Sequence, residues 1–165
     1  MMAKKDKNQK FAGDGTIVVG NKKARFQYQV IDKMETGIAL VGNEVKSLRL
    51  SRGSLVDAYA RIKNGEVWLN EMFIDPYFMG SRYQTVDPRR PRKLLLHRNE
   101  INRLERKLEQ PGHTLVPLSV YFKKGRAKVE LALVKGKQQH DKSRAIKERD
   151  QKRDLDRIKK QYNVG

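Results

Sequence analysis

From Arg126 to Val134 the chain alternates: Ala127, Val129, Leu131 and Leu133 take one face of an extended segment, Lys128, Glu130 and Ala132 the other. A period of two marks a half-buried strand and fits no helix, so the inward face of this segment is specified. Thr114 to Phe122 reads as its hairpin partner across Lys123-Lys-Gly125. Ala58 to Ile62 and Val67 to Phe73 flank Asn64-Gly65, the strongest short hairpin signal available. Phe26, Tyr28 and Val30 alternate as another strand, and Ile38 to Val41 follows a Thr36-Gly37 turn. Two short helices are expected between strands. One is capped by Asn43 and carries Val45, Leu48 and Leu50; the other is capped by Asn99, carries Ile101, Leu104 and Leu108, and stops at Pro111-Gly112. The pattern predicts a mainly β fold: a six-stranded antiparallel barrel with short flanking helices, comparable to the oligonucleotide-binding barrel. Closure removes edge strands.

The barrel does not account for the whole chain. The expected division is a flexible basic arm at 1–20, a barrel domain at 21–135 and a basic tail at 136–165. From Lys147 to Asp154 the tail has no hydrophobic residue, and its sparse apolar positions are Ala145, Ile146, Leu155, Ile158 and Tyr162. A helix docks on a core through an apolar stripe, which this segment lacks. Gly and Pro are nevertheless missing between Lys137 and Val164, and good helix formers dominate. Glu148 with Lys152, Asp156 with Lys160 and Asp150 with Arg153 have helical spacing, worth only about 0.2–0.5 kcal/mol per pair. The tail therefore reads as a conditional helix, ordered by a partner that neutralises its charge.

That partner is a polyanion. With 37 Lys and Arg against 19 Asp and Glu, the formal charge is +18, which favours nucleic acid first and an acidic membrane second. No apolar run approaches the roughly 20 residues of a membrane span, and the N-terminus lacks the apolar stretch of a signal peptide. There is no Cys, hence no disulfide and no cysteine metal site. A cytoplasmic protein without a resident metal or cofactor is expected. Enzyme motifs are wanting: His97, His113 and His140 are widely spaced, and there is no Walker loop, G-x-S-x-G or H-E-x-x-H.

Binding residues are easier to nominate. Lys46 and Arg49 lie three apart on one face of the first helix, either solvated or set against phosphate. Arg89, Arg90, Arg92 and Lys93 form a dense basic segment open to the same two readings. Phe26, Tyr28, Tyr59, Trp68 and Phe73 are expected mostly in the core. Tyr77, Phe78 and Tyr83 are the better candidates for stacking on unpaired bases, worth roughly 1–3 kcal/mol each. Glu35 is either an ordinary turn carboxylate or an acceptor for a base edge or 2′-OH. His97 reads first as a helix-entry residue hydrogen-bonded to backbone.

Five blocks then carry a resemblance. Asn21-Lys-Lys-Ala-Arg25, Gly42-Asn-Glu-Val-Lys-Ser-Leu-Arg49, Asp57-Ala-Tyr-Ala60, Arg90-Pro-Arg-Lys-Leu-Leu-Leu-His97 and Val134-Lys-Gly-Lys137 with His140-Asp-Lys142 occur in order. Together they resemble the small protein B family, the SsrA-binding (tmRNA-binding) proteins of bacterial trans-translation. The resemblance implies an oligonucleotide-binding-like barrel that binds the tRNA-like domain of tmRNA. It implies delivery of alanyl-tmRNA, with elongation factor Tu, to ribosomes stalled on messages lacking a stop codon, and no catalysed reaction. Glu35, Leu95 and His97 match the family's RNA-binding positions, although some members have Asn in place of His97. The tail is implied to enter the empty mRNA channel and decoding centre, with Gly136, Lys137, Asp141 and Lys142 matching its pattern. Ser143 stands where the family commonly has Arg, and Arg144 next to it would supply the guanidinium. The alternative is a basic ribosome-associated or assembly protein built on the same barrel.

Overall fold

The computed structural model of the protein describes residues 15–77, 86–137 and 139–162. In chain order the elements are β1 (Ile17–Gly20), α1 (Lys22–Gln27), β2 (Tyr28–Ile38), α2 (Gly42–Arg49), β3 (Gly53–Ser54), β4 (Tyr59–Lys63), β5 (Glu66–Asn70), β6 (Phe73–Ile74), β7 (Arg92–Leu95), α3 (Arg98–Leu108), β8 (His113–Lys123), β9 (Arg126–Gly136) and α4 (Gln139–Tyr162).

Six strands close a ring. β8 pairs with β9, β9 with β2, β2 with β7, β7 with β5, β5 with β4, and β4 returns to β8, every pair antiparallel. β1 lies along the other half of β8, with Ile17 opposite Tyr121 and Gly20 opposite Ser119. The expected six-stranded barrel is what forms. Both hairpins turn as their sequences require: Asn64 and Gly65 have φ of 53° and 71°, Lys124 and Gly125 52° and 74°. Two successive positive φ values make the tight turn whose twist suits a hairpin.

The barrel is filled by apolar side chains, mostly aliphatic. Val67, Leu69, Leu115, Val120, Phe122, Val129, Leu131 and Leu133 are fully buried. α2 adds Leu48, and α3 adds Ile101 and Leu104 to the same core. A smaller cluster of Ala24, Val116, Leu118, Ala132 and Val134 lies between α1 and the outside of β8 and β9. Ala132, expected on the polar face, is buried there because α1 covers it.

Four local expectations are corrected. Phe26 is in α1, not in a strand: Asn21 Oδ1 accepts from Ala24 N at 3.0 Å and caps the helix, while its Nδ2 donates to the carbonyls of Leu55 and Pro117. Thr36-Gly37 is not a turn. β2 runs through it, and Gly37 sits opposite both Leu95 and Lys128. A Cβ there would meet Leu95 Cβ at 3.2 Å, so this glycine serves a close approach of side chain to backbone. The helix caps lie two residues earlier than expected, at Val41 and His97, because Glu44 and Glu100 in the first turns accept from those backbone N–H groups at 3.1 and 2.8 Å. Finally, Phe26, Tyr28, Tyr59, Trp68 and Phe73 are only half-buried. Val67 and Leu69 hold the inward parity of β5, which turns Trp68 outward, opposite Arg61 and Lys93.

Candidate nucleic-acid interface

On the outside of the barrel, neighbouring strands bring widely separated residues together. Glu35 of β2 is opposite Glu130 of β9, which is opposite Ser119 of β8. One step along, Gly37 is opposite Lys128, which is opposite Tyr121. Like charges facing across a ladder repel, and the two glutamates are drawn apart. Glu130 accepts from Ser119 Oγ at 3.1 Å, with Arg25 Nη2 at 3.7 Å and Lys33 Nζ at 3.5 Å. Glu35 accepts from the Tyr121 hydroxyl and has Lys123 Nζ at 3.4 Å. Glu35 is exposed. The Tyr121 hydrogen bond, then Lys123 and Lys128, hold its carboxyl below the usual range against a smaller desolvation effect. Desolvation first, then that hydrogen bond, drive the Tyr121 hydroxyl well above its usual value. The pair is an anion and its neutral donor at neutral pH.

Leu95 adjoins this face. It is 54% exposed and lies over Gly37. His97, two residues on, is exposed at the entry of α3, and its backbone N–H bonds Glu100. A cleft beside them is lined by Gly65, Glu66, Lys93 and Arg98. Lys93 pairs with Glu66 at 2.7 Å on its rim.

The remaining basic candidates separate. Lys46 is exposed, 5.6 Å from the Tyr77 ring centroid. Arg49 stacks 4.3 Å over Phe122 and donates to the Gly125 carbonyl at 3.3 Å. Arg89 is exposed, over Phe73 and beside Glu71. Arg90 forks onto Glu44, Nε to Oε1 at 2.9 Å and Nη2 to Oε2 at 2.7 Å.

Arg92 corrects the sequence expectation. It is 0% exposed, donating to Glu44 Oε1 at 2.8 Å and to the carbonyls of Met72 and Pro88. It braces the segment from inside and presents nothing to RNA. Burial pushes the Glu44 carboxyl up, but Arg90, Arg92 and the Val41 N–H outweigh it and leave it below its usual range.

α4 leaves from the end of β9. Gly136 closes that strand opposite Tyr28, and Lys137 N donates to Gln27 O at 3.1 Å. The helix is formed over Gln139–Tyr162, with Ile146, Leu155, Ile158 and Tyr162 all exposed. It touches α1, where the Arg149 guanidinium lies 5.8 Å from the Phe26 ring centroid. Arg144 is exposed. Residues 1–14 of the arm, Phe78, Tyr83 and the side chains of Asp141 and Lys142 lie outside the described residues. Among the described residues no three His, Asp or Glu gather as a metal site would require, and no helix is long and apolar enough to cross a membrane.

Sequence reasoning missed Tyr121, Lys123, Glu130 and Gly37. The β8–β9 hairpin was legible, so its register could have paired Tyr121 with Lys128. The β2–β9 pairing that adds Glu35 joins segments about a hundred residues apart and leaves no local signal.

Comparison with known proteins gives consistent results. The family model described as SmpB protein matches residues 18–161. The chain is 53% identical over 156 residues to the SsrA-binding protein of Thermobifida fusca, covering 94% of this chain and 96% of that one. It is 49% identical over 146 residues to that of Syntrophomonas wolfei (88% and 92% covered) and 48% over 151 residues to that of Streptococcus pneumoniae (92% and 97%). A solved structure described as "tmRNA-SmpB: a journey to the center of the bacterial ribosome" is similar with a TM-score of 0.62 and 47% identity, covering 77% of this chain and 92% of that chain.

Proposed function

The chain belongs to the SmpB protein family, and from that premise we propose how its residues divide the work. The protein is an RNA-binding adaptor of trans-translation: it binds tmRNA and brings it to stalled ribosomes, so that incomplete proteins are tagged. It carries out this work in the cytoplasm, catalysing no reaction and holding no cofactor. Elongation factor Tu accompanies it in the delivery complex.

The barrel, residues 21–135, takes the tRNA-like domain. A folded, tRNA-like RNA is recognised by shape, phosphates and exposed groups rather than by groove readout. Lys46, Arg49, Arg89, Arg90 and Lys93 supply phosphate contacts, which position the RNA, while Glu35, Leu95 and His97 supply selectivity. The observation that carries this reading is the single outer face on which Glu35, Gly37 and Leu95 meet, ringed by Lys33, Lys123 and Lys128. A phosphate backbone tolerates a carboxylate only where cations outnumber it, and there the carboxylate can select a donor group.

The tail, residues 136–165, takes the decoding centre and mRNA channel, with Gly136, Lys137, Asp141, Lys142 and Arg144 making its first contacts. Its support is the exposure of α4 along its described length: charge on every side suits a channel walled by RNA phosphates. Residues 1–20 add a basic arm. Deleting the chain from Asp141 onward is expected to leave tmRNA affinity nearly intact, measured by electrophoretic mobility, and to abolish tagging of stalled products. Loss of RNA binding with nothing further lost would break the division.

A further inference from the structure

One whole strand separates the ends of one hydrogen bond. Tyr121 is on β8 and Glu35 on β2, and β9 runs between them. Neighbouring strands are about 4.8 Å apart, so the Tyr121 and Glu35 side chains together span roughly 10 Å of sheet to meet. The phenol passes between Lys128, its own cross-strand partner, and Glu130, the partner of Glu35. A Tyr side chain has only two side-chain torsions before its hydroxyl, so it holds its end of that span in one geometry.

The bond is more than the fold needs. Both groups are at the surface, where water would satisfy them. Glu130, facing Glu35, already has its own partners in Ser119, Arg25 and Lys33, so Tyr121 is not required to keep the two acids apart. What the phenol does is select a rotamer. It takes Glu35 Oε2, while Lys123 stays at 3.4 Å from both oxygens. Oε1 is left with acceptor capacity on an outward-facing strand.

We propose that Tyr121 is a positioning residue for tmRNA recognition: its hydroxyl fixes the Glu35 carboxylate so that Oε1 accepts from an N–H or O–H donor of the RNA. This rests on the reading of Glu35 as an RNA-contacting residue. A carboxylate held by a neutral donor keeps its full charge, whereas one held in a tight ion pair has it neutralised. Preorganisation lowers the ordering cost of binding and so shows as affinity.

The test is a double-mutant cycle in the full-length protein: wild type, Glu35→Gln, Tyr121→Phe and both together, with affinity for the tRNA-like domain of tmRNA at fixed salt. Tyr121→Phe keeps the ring and removes only the donor. It is expected to weaken binding about 5- to 10-fold, the scale of one charge-assisted hydrogen bond, without lowering the melting temperature. In the Glu35→Gln background the same change should cost nothing further, a coupling that a merely structural role would not produce. Single-site inosine or 2′-deoxy substitutions in the RNA identify the donor as a guanine amine or a 2′-hydroxyl, because the matching one erases the Tyr121→Phe effect. Additive losses, or an effect that survives every such substitution, overturn the proposal. If Glu35→Gln weakens binding and Tyr121→Phe does not, this proposal alone falls. If Glu35→Gln binds as wild type does, the underlying reading of Glu35 falls with it.

Discussion

Glu35 and Glu44 are the same residue type with carboxyls displaced in the same direction, yet their surroundings are opposite. Glu44 is 5% exposed and every part of its carboxylate is engaged: Oε1 by Arg90 and Arg92, Oε2 by Arg90 and the Val41 N–H. Glu35 is exposed, with a phenol on one oxygen and a lysine at the limit of contact. A buried charge must find all its partners inside the protein; a surface charge with partial satisfaction remains open to another molecule. The direction of a pKa shift therefore does not distinguish a filled carboxylate from an open one. The count of unfilled acceptor positions does.

The sharpest way to break the contrast is Glu44→Ala. It strands the fully buried Arg92 and frees Arg90, and removing one partner of a buried ion pair costs about 3–5 kcal/mol. A drop of that size in urea unfolding is expected, while Glu35→Gln leaves the unfolding midpoint where it was. A Glu44→Ala protein within about 1 kcal/mol of wild type, the scale of an exposed pair, would put the two acids in one class.

Acid should bring out the same difference more gently. Glu44 is held below the usual carboxylate range in the folded protein. Its contribution is therefore present above the unfolded value and is lost as pH falls through the folded one. Stability measured from about pH 6 down to pH 3 should decline in wild type and decline less steeply in Glu44→Gln, whose starting stability is lower. A parallel decline would place the acid-sensitive groups elsewhere.

The smallest effect belongs to the surface pair Lys107–Asp32, 2.8 Å apart with both side chains more than a third exposed. Lys107→Met should change stability by about 0.2–1 kcal/mol, the ordinary range for such pairs, and less in high salt. A larger loss would mean that distance rather than burial sets the worth of these contacts.

Much of this was legible in the chain. The alternation of 126–134, the Asn64-Gly65 turn and the apolar spacing of α3 all describe local geometry, and local geometry is what sequence periodicity encodes. The five family blocks supplied the function. What failed was parity and pairing. Gly37 looked like a turn because glycine serves turns and close approaches alike, and only the presence of Leu95 across the ladder decides between them. Arg92 looked like a surface cation because its neighbours are basic, and nothing local shows that Glu44, 48 residues away, draws it inward. Trp68 looked like core because aromatic residues usually are; Val67 and Leu69 settled the face instead.

The ring closure has a consequence for synthesis. Tyr28 pairs with Gly136, and β2 lies against β9 along most of its length. No nascent chain ending before β9 can join the two strands, so the barrel closes only after nearly all of it has left the ribosome. Such long-range pairing folds slowly. A copy of this protein cut short before Arg126 would lack β9, and with it the partner that keeps β2 in register. Copies cut before β9 would therefore lack the pairing that sets Glu35 beside the β8–β9 hairpin, whereas copies cut after Gly136 would keep it.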